Sequence, residues 1–370
     1  MSTPLHGLKV IELARILAGP WIGQTLADLG ADVLKVESPE GDDTRKWGPP
    51  FIERDGDRTA AYFHAANRGK DSIALDFRDE VDRAKLLDLI RDADVLIENF
   101  KVGGLKKFGL DYDSVKQVNP RLVYASVTGF GQDGPYAHRA GYDFLIQGMS
   151  GIMDLTGDPE GEPQKIGVAF ADIFTGLYGV IGIQAALAER ERSGQGQHVD
   201  LSLLDCMTGV LANQAMNYLA SGKCPTRLGN AHPNIVPYQV FPVADGHIII
   251  ACGNDRQYAS LCEILGLSGL IDDARFKSNA DRVENRAALT DLLTNSCRKW
   301  NKADFLAALE QRGVPGGPIN SVHEALSDPQ FQHREMQISP EGVPGLRTPI
   351  RFSRSELRLD KASAKRPVKS

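Results

Sequence analysis

Gly7-Leu8-Lys9-Val10-Ile11-Glu12-Leu13-Ala14-Arg15-Ile16-Leu17-Ala18-Gly19-Pro20 is the stretch that decides the fold. Residues 8–13 are rich in apolar and β-branched side chains and read as a strand. A helix pattern follows over 20–29. The turn between them lacks Gly-x-Gly-x-x-Gly, so a nicotinamide or flavin dinucleotide is not indicated. The alternation continues outward. Residues 32–37, 72–76, 94–98 and 122–127 read as strands, and 80–92 as a helix. Short strands alternating with helices predict a parallel sheet covered on both faces, hence an α/β, Rossmann-like large domain.

Further along, 173–190 and 203–220 carry helix patterns around a strand at 198–201. Gly176, Gly179 and Gly182 recur every third residue and suit close helix packing. Residues 222–237 are rich in Gly, Pro and Asn and read as a linker. A hairpin is expected at 239–243 and 247–252 around Ala244-Asp245-Gly246, and helices dominate to Gly313. The expected organisation is a large domain over 1–221, a linker over 222–237, and a smaller α+β domain over 238–313. Residues 314–370 then return to the large domain, through Val314-Pro315-Gly316-Gly317-Pro318 as a link. The charged tail, 361–370, reads as frayed.

A chain of 370 residues, 42% hydrophobic and 24% charged, can bury a large core in two domains. Its 42 basic and 48 acidic side chains leave a charge of −6, with no basic stripe, so nucleic acid is not an expected partner. Cys206, Cys224, Cys252, Cys262 and Cys297 lack metal-ligand spacing, and no metal is expected. Their odd number and the absence of a signal segment fit a reducing cytoplasm. The apolar stretch 173–188 is interrupted by glycine and shorter than the ~20 residues of a membrane span. It reads as a core helix, and no membrane is expected.

One carboxylate carries the chemistry. In Lys165-Ile166-Gly167-Val168-Ala169-Phe170-Ala171-Asp172-Ile173, a small apolar approach ends in Asp172 at the start of a helix pattern. An N-cap is the plain alternative. A carboxylate there also lies where free N–H groups and the helix dipole favour negative charge.

Several segments, taken in order, resemble the family III CoA-transferases, the group that includes formyl-CoA transferase. They are 7–13 with Leu17-Ala18-Gly19-Pro20, Gly30-Ala31-Asp32, Gly41-Asp42, Asn67-Arg68-Gly69-Lys70 and 94–100. Asn119-Pro120-Arg121, Gly129-Phe130-Gly131, Gly141-Tyr142-Asp143 and the Asp172 segment complete the set. The resemblance spans nearly the whole chain. It implies an interlocked homodimer without a prosthetic group. It also implies transfer of CoA between carboxylic acids, with acyl-CoA and free acids as substrates and Asp172 as nucleophile. By the same resemblance CoA meets Ile16, Leu17 and Ala18, then Leu75 and Arg78, Asn99 and Phe100, Lys107, and Tyr142 with Asp143. Core packing is the alternative for Leu75 and Phe100, and solvated charge for Arg78 and Lys107. Arg15, Arg45 and His232 are candidates for an acyl or acceptor carboxylate. Structural ion pairs are the alternative for both arginines, and a structural or exposed ring for His232.

Two departures bear on substrate. Ser38 and Lys107 stand where formyl-CoA transferase has arginines, and 227–245 holds a single glycine, Gly229, in place of a glycine-run loop. The lid and acyl pocket should therefore differ, and formyl-CoA/oxalate specificity is not expected. The general likeness is closer to the dicarboxylate-handling members of the family, which implies dicarboxylates such as succinyl-CoA as substrates. A 2-methylacyl-CoA racemase of similar fold is the competing reading. It needs a histidine at the Tyr142 position, and tyrosine, with a pKa near 10, is a poor base at neutral pH.

Overall fold

The computed structural model describes residues 2–367. The chain forms two compact units, one of 2–152, 165–211 and 329–367, the other of 153–164 and 212–328. The first unit therefore gives way to the second at Leu211, ten residues before the boundary read from sequence. The second also takes in 153–164 and the first turns of the presumed return link.

In the first unit the order is β1 (Lys9–Glu12), α1 (Ala18–Asp28), β2 (Asp32–Glu37), α2 (Ala61–Asn67), β3 (Asp71–Ala74) and α3 (Glu80–Arg91). Then come β4 (Val95–Glu98), α4 (Tyr112–Val118), β5 (Val123–Thr128), α5 (Asp143–Met149), α6 (Phe170–Ser193) and β6 (His198–Ser202). The sheet runs β3-β2-β1-β4-β5-β6 with every neighbouring pair parallel. This is the parallel, Rossmann-like sheet that was expected, in a doubly wound order, and the strand expected at 198–201 is its outer strand β6. Connections leave β1 in one direction and β4 in the other, so a crevice opens between their carboxyl ends.

Alternation along the strands fills both faces. Val10, Val95, Ile97, Val123 and Ala125 pack with Ile22 and Leu26 of α1 and Ile183 of α6. Ile11, Leu96 and Tyr124 face the other way, onto Leu86 and Ile90 of α3 and Val115 of α4. A Cβ on Gly176 would stand 3.0 Å from Trp21, and one on Gly179 would collide with Ile22, so the small-residue face of α6 sets its closeness to α1. At 24 residues, α6 exceeds the expected apolar stretch, and its length and composition alone would suit a membrane span. Its glycine face is built into this core.

The second unit holds α7 (Ala212–Ser221), β7 (Tyr238–Val243), β8 (Gly246–Ala251), α8 (Arg286–Cys297) and β9 (Gly316–Pro318). Strands β9, β8 and β7 form an antiparallel sheet in that order, over a core with Phe241, Ile250, Leu261, Phe276, Leu293 and Phe305. Gly316–Pro318, taken from sequence as a link, is thus an edge strand. The helix expected over 203–220 breaks into two around Val210, where Ala212 takes φ +47°.

The tail is not frayed as far as it is described. Ala362 and Ser363 are buried, Arg54 Nη2 donates to Ser363 O at 2.7 Å, and Gly69 N donates to Lys361 O at 3.2 Å. The remainder of that expectation, 368–370, lies outside the described residues.

Candidate active site

The β1–α1 loop is fixed from every side. Asn99, just past β4, brackets Arg15: Asn99 Oδ1 accepts from Arg15 N at 2.9 Å and Asn99 Nδ2 donates to Arg15 O at 2.7 Å. Lys35 Nζ donates to Ala14 O at 2.7 Å, and Ile16 N donates to Asp42 Oδ2 at 3.3 Å. Between these anchors Ile16 takes φ +73°. A β-branched residue there is strained and persists only where its surroundings over-determine it.

A buried charge network supplies the anchors. Lys35 bridges Glu12 and Asp42 at 3.0 Å each, and Lys70 meets Glu12 at 2.8 Å. Asp42 N donates to Glu37 Oε2 at 2.9 Å. Burial works to raise the pKa of both Glu37 and Asp42, yet Arg45 holds Glu37, and Lys35 holds Asp42, below the usual carboxylate value.

Arg45 belongs to this network and not to the substrate. It is 1% exposed, its Nε and Nη2 donate to Glu37 at 2.7 and 2.6 Å, and Nη2 also reaches Ala364 O at 3.2 Å. Its guanidinium lies over the Phe63 ring, 3.7 Å from the centroid. The carboxylate-binding expectation for Arg45 is therefore withdrawn. Arg15 is exposed. It pairs with Asp43 at 3.3 Å and lies 5.8 Å from the Phe100 centroid.

Asp172 is the third residue of α6, not its N-cap; Ala169 holds that position and caps nothing with its side chain. The capping work falls to Asp143, whose Oδ1 accepts from Ala171 N at 2.9 Å. Gln147, fully buried, donates to Asp143 Oδ2 at 2.7 Å and accepts from Ile166 N at 2.9 Å, so α5 holds the approach to α6. Gly129 and Gly141 pass so closely that a Cβ on either would fall 2.5 Å from the other's backbone. That contact returns the loop after β5 to the sheet and delivers Tyr142 and Asp143. Tyr142 itself is 67% exposed.

The electrostatics of Asp172 follow. Burial, then the neighbouring Asp143 charge, push its pKa up to about 7, while an N–H from Ala18 works in the opposite direction. The helix N-terminus does not win, and the group is not held fully ionised as its position suggested. Ala18 opens α1, which also lacks a side-chain cap. Gly19 N–H, next in that turn, has no partner among the described residues, and Pro20 has none to offer.

Leu75, Arg78, Phe100 and Lys107 lie in segments that follow the strands at the same carboxyl edge. Leu75 is a core residue whose N–H extends the β3–β2 pairing to Glu37 O at 2.9 Å. Phe77 lies 6.1 Å from both Phe100 and Phe108, and Lys107 Nζ is 4.8 Å from the Phe108 centroid. Arg78 is exposed and bonded to Asp76 at 2.9 Å. His232 lies in the second unit, with Nδ1 accepting from Asn234 N at 3.1 Å. Sequence reasoning missed Asp42 as the Ile16 clamp, although Gly41-Asp42 was among its motifs. It also missed Tyr62, on an unforeseen helix, where burial and the Asp172, Asp143 and Asp42 charges raise the hydroxyl pKa.

A carboxylate at the mouth of a doubly wound sheet, beside a rigid loop and free helix N–H groups, defines a site for acyl transfer. Residues 5–365 match the model of CoA-transferase family III. The succinate–glutarate CoA-transferase of Agrobacterium fabrum is 56% identical over 370 residues, which cover 98% of this chain and 92% of that one. The acetyl-CoA:oxalate CoA-transferase of Acetobacter aceti is 43% identical over 95% of this chain and 89% of its own. A CaiB/BaiF family protein from Brucella suis, of known structure, is 66% identical with a TM-score of 0.90, over 99% of this chain and 97% of that one. The chain belongs to CoA-transferase family III. It is an enzyme that transfers CoA, and the racemase reading is not favoured.

Proposed function

We propose that the protein moves CoA between dicarboxylic acids, with succinyl-CoA as donor and glutarate as acceptor, through Asp172. The observation that carries this is the half-buried Asp172 carboxylate, pushed up to about 7, beside Asp143 and touched by the first N–H of the β1–α1 loop's helix. The Agrobacterium enzyme acts by name on succinate and glutarate, both dicarboxylates, and at 56% identity supports that class here; the Acetobacter enzyme pairs the dicarboxylate oxalate with the monocarboxylic acetyl-CoA.

The ionised Asp172 attacks the thioester carbonyl; the C–S bond breaks and CoA thiolate leaves a mixed anhydride. The thiolate then attacks the Asp172 acyl carbon, releasing the donor acid as a carboxylate and leaving an aspartyl-CoA thioester. The acceptor carboxylate attacks that thioester, and the returning thiolate takes the acceptor's acyl carbon. Asp172 is regenerated with no net proton change. Ala18 and Gly19 N–H groups are the donors for the tetrahedral oxyanions, each worth roughly 3–4 kcal/mol when well placed. Backbone groups at Ile16, Leu17 and Ala18, the Asn99–Phe100 turn, and Phe77, Phe108, Arg78 and Lys107 line the path for CoA.

The chain works as a homodimer. Phe144 and Ile181 are 60% and 62% exposed, with Leu145, Met149, Leu177 and Tyr178 also open on α5 and α6. Such a face calls for cover, and a second copy is the cover the family resemblance implies. The five cysteines stand free, in keeping with a reducing cytoplasm. The test is an acceptor screen with succinyl-CoA, using wild type and Asp172→Ala, alongside light scattering for mass. Glutarate should be a leading acceptor, Asp172→Ala inert, and the mass that of two chains. Turnover by the variant would remove Asp172 from the reaction.

A further inference from the structure

The segment Asn67-Arg68-Gly69-Lys70 is one of the motifs behind the family resemblance, yet it has no part in the chemistry described so far. Its last residue is enclosed. Lys70 is 1% exposed, and its ammonium donates to Glu12 Oε1 and Pro20 O at 2.9 Å each and to Asn67 Oδ1 at 2.8 Å. Its three donors are thus used on β1, on the first turn of α1 and on the end of α2. Glu12, fully buried, is the hub, because its Oε1 also accepts from Lys35 Nζ at 3.0 Å. Helix α1 lies directly against it: a Cβ on Gly23 would stand 1.8 Å from Glu12 Oε2.

One carboxylate therefore holds two lysines, and each lysine grips a backbone carbonyl. Lys35 takes Ala14 O and Lys70 takes Pro20 O. These carbonyls flank residues 15–19, which carry the positive φ at Ile16 and the Ala18 and Gly19 N–H groups. Stability is a poor account of the arrangement. A buried ion cluster stabilises a fold little more than apolar side chains of the same volume. A cation beside the first turn of a helix also opposes the helix dipole. Nor does Lys70 act by its charge on the nucleophile, since the Asp172 pKa answers to burial, to Asp143 and to the Ala18 N–H. What the cluster fixes is where the first turn of α1 stands relative to β1, and that turn supplies the N–H that reaches Asp172.

We propose that Lys70 is a positioning residue for the transfer reaction: through Pro20 O it holds the first turn of α1 so that the Ala18 and Gly19 N–H groups face the oxyanion formed when Asp172 attacks. Lys35, at the other end of the loop, holds the part that meets CoA. This rests on the reading of Asp172 as nucleophile and of those N–H groups as oxyanion donors. The alternative is that the cluster only braces the fold.

The experiment mixes the protein with succinyl-CoA and no acceptor. It reads the limiting rate of adduct formation, the half-saturating concentration and the unfolding midpoint in wild type, Lys70→Met, Lys35→Met and Gly23→Ala. Lys70→Met should lower the limiting rate about 100-fold, the effect of a misplaced oxyanion donor, with little change in the half-saturating concentration. Lys35→Met should do the opposite, raising the half-saturating concentration by more than it lowers the rate. Gly23→Ala keeps every charge while its methyl displaces Glu12 from Lys70. It should lower the limiting rate by a smaller factor, and it decides the matter if Lys70→Met does not fold. An unchanged limiting rate in Gly23→Ala overturns the proposal. So does a change of both quantities in the same proportion in Lys70→Met and Lys35→Met, or a fall in their midpoints alone. A wild type that forms no adduct on Asp172 overturns the nucleophile reading itself, a result seen without any variant.

Discussion

Two carboxylate environments lie at the same edge of the sheet and behave in opposite ways. Glu37 and Asp42 are buried more deeply than Asp172, yet their pKa values fall, because Arg45 and Lys35 sit against them. Asp172 has no cation against it, so burial, and then the charge of its carboxylate neighbour Asp143, carries its pKa up to about 7. Burial pushes all three carboxylates upward, and only a cation in contact, present at Glu37 and Asp42 and absent at Asp172, reverses it. The paired group builds the floor of the β1–α1 loop. The unpaired one is left with free energy that attack on a carbonyl can release.

The largest expected effect separates the two. Asp172→Asn should lower kcat by roughly 10⁴-fold or more, since an amide cannot form the anhydride. The same variant should be more stable than wild type at high pH. The folded pKa of about 7 lies above the unfolded value, so the protonated group favours the fold and that advantage is lost as pH rises from about 4 through 7. Below pH 4 the two proteins should unfold alike. Above pH 7 the variant should lead by on the order of 1–3 kcal/mol, allowing for partial exposure, as read from urea midpoints across pH.

Arg45→Ala tests the other environment. It strands Glu37 and releases the tail carbonyls, and should cost about 3–5 kcal/mol, measured as a lower urea midpoint at unchanged m-value. A small loss would mean that the network is not what holds the loop. A smaller effect sharpens the contrast at Asp143. Asn retains the Oδ1 acceptor for Ala171 N while removing the like charge. In Asp143→Asn the acid limb of kcat/KM, set near pH 7 in wild type, should move to lower pH by about half to one unit. An unmoved limb would assign the pKa to burial alone. Smallest of all, Ile16→Gly relieves the positive φ. It should change stability by no more than about 1 kcal/mol while raising KM for acyl-CoA, because the loop loses its fixed form.

The sheet was legible because its central strands are buried on both faces and read as short apolar runs, as in Val95-Leu96-Ile97. The α6 glycines were legible as a packing face for the same reason. What escaped the sequence was set by partners far along the chain. Arg45 looks the same whether it meets a substrate or Glu37. Asp143 caps α6 from 28 residues away, which left Asp172 looking like the cap. The tail docks through its carbonyls, which carry no sequence signal at all. Strand β9 is Gly-Gly-Pro, a composition that says turn, and only β8 makes it a strand.

The most direct measurement is mass spectrometry of the protein quenched after mixing with succinyl-CoA and no acceptor, at pH 6 and at pH 8. The account predicts a CoA thioester on the peptide bearing Asp172, formed several-fold faster at pH 8, and absent from Asp172→Asn. An adduct on another residue, or one that forms equally fast at both values while Asp172 is the site, would contradict it.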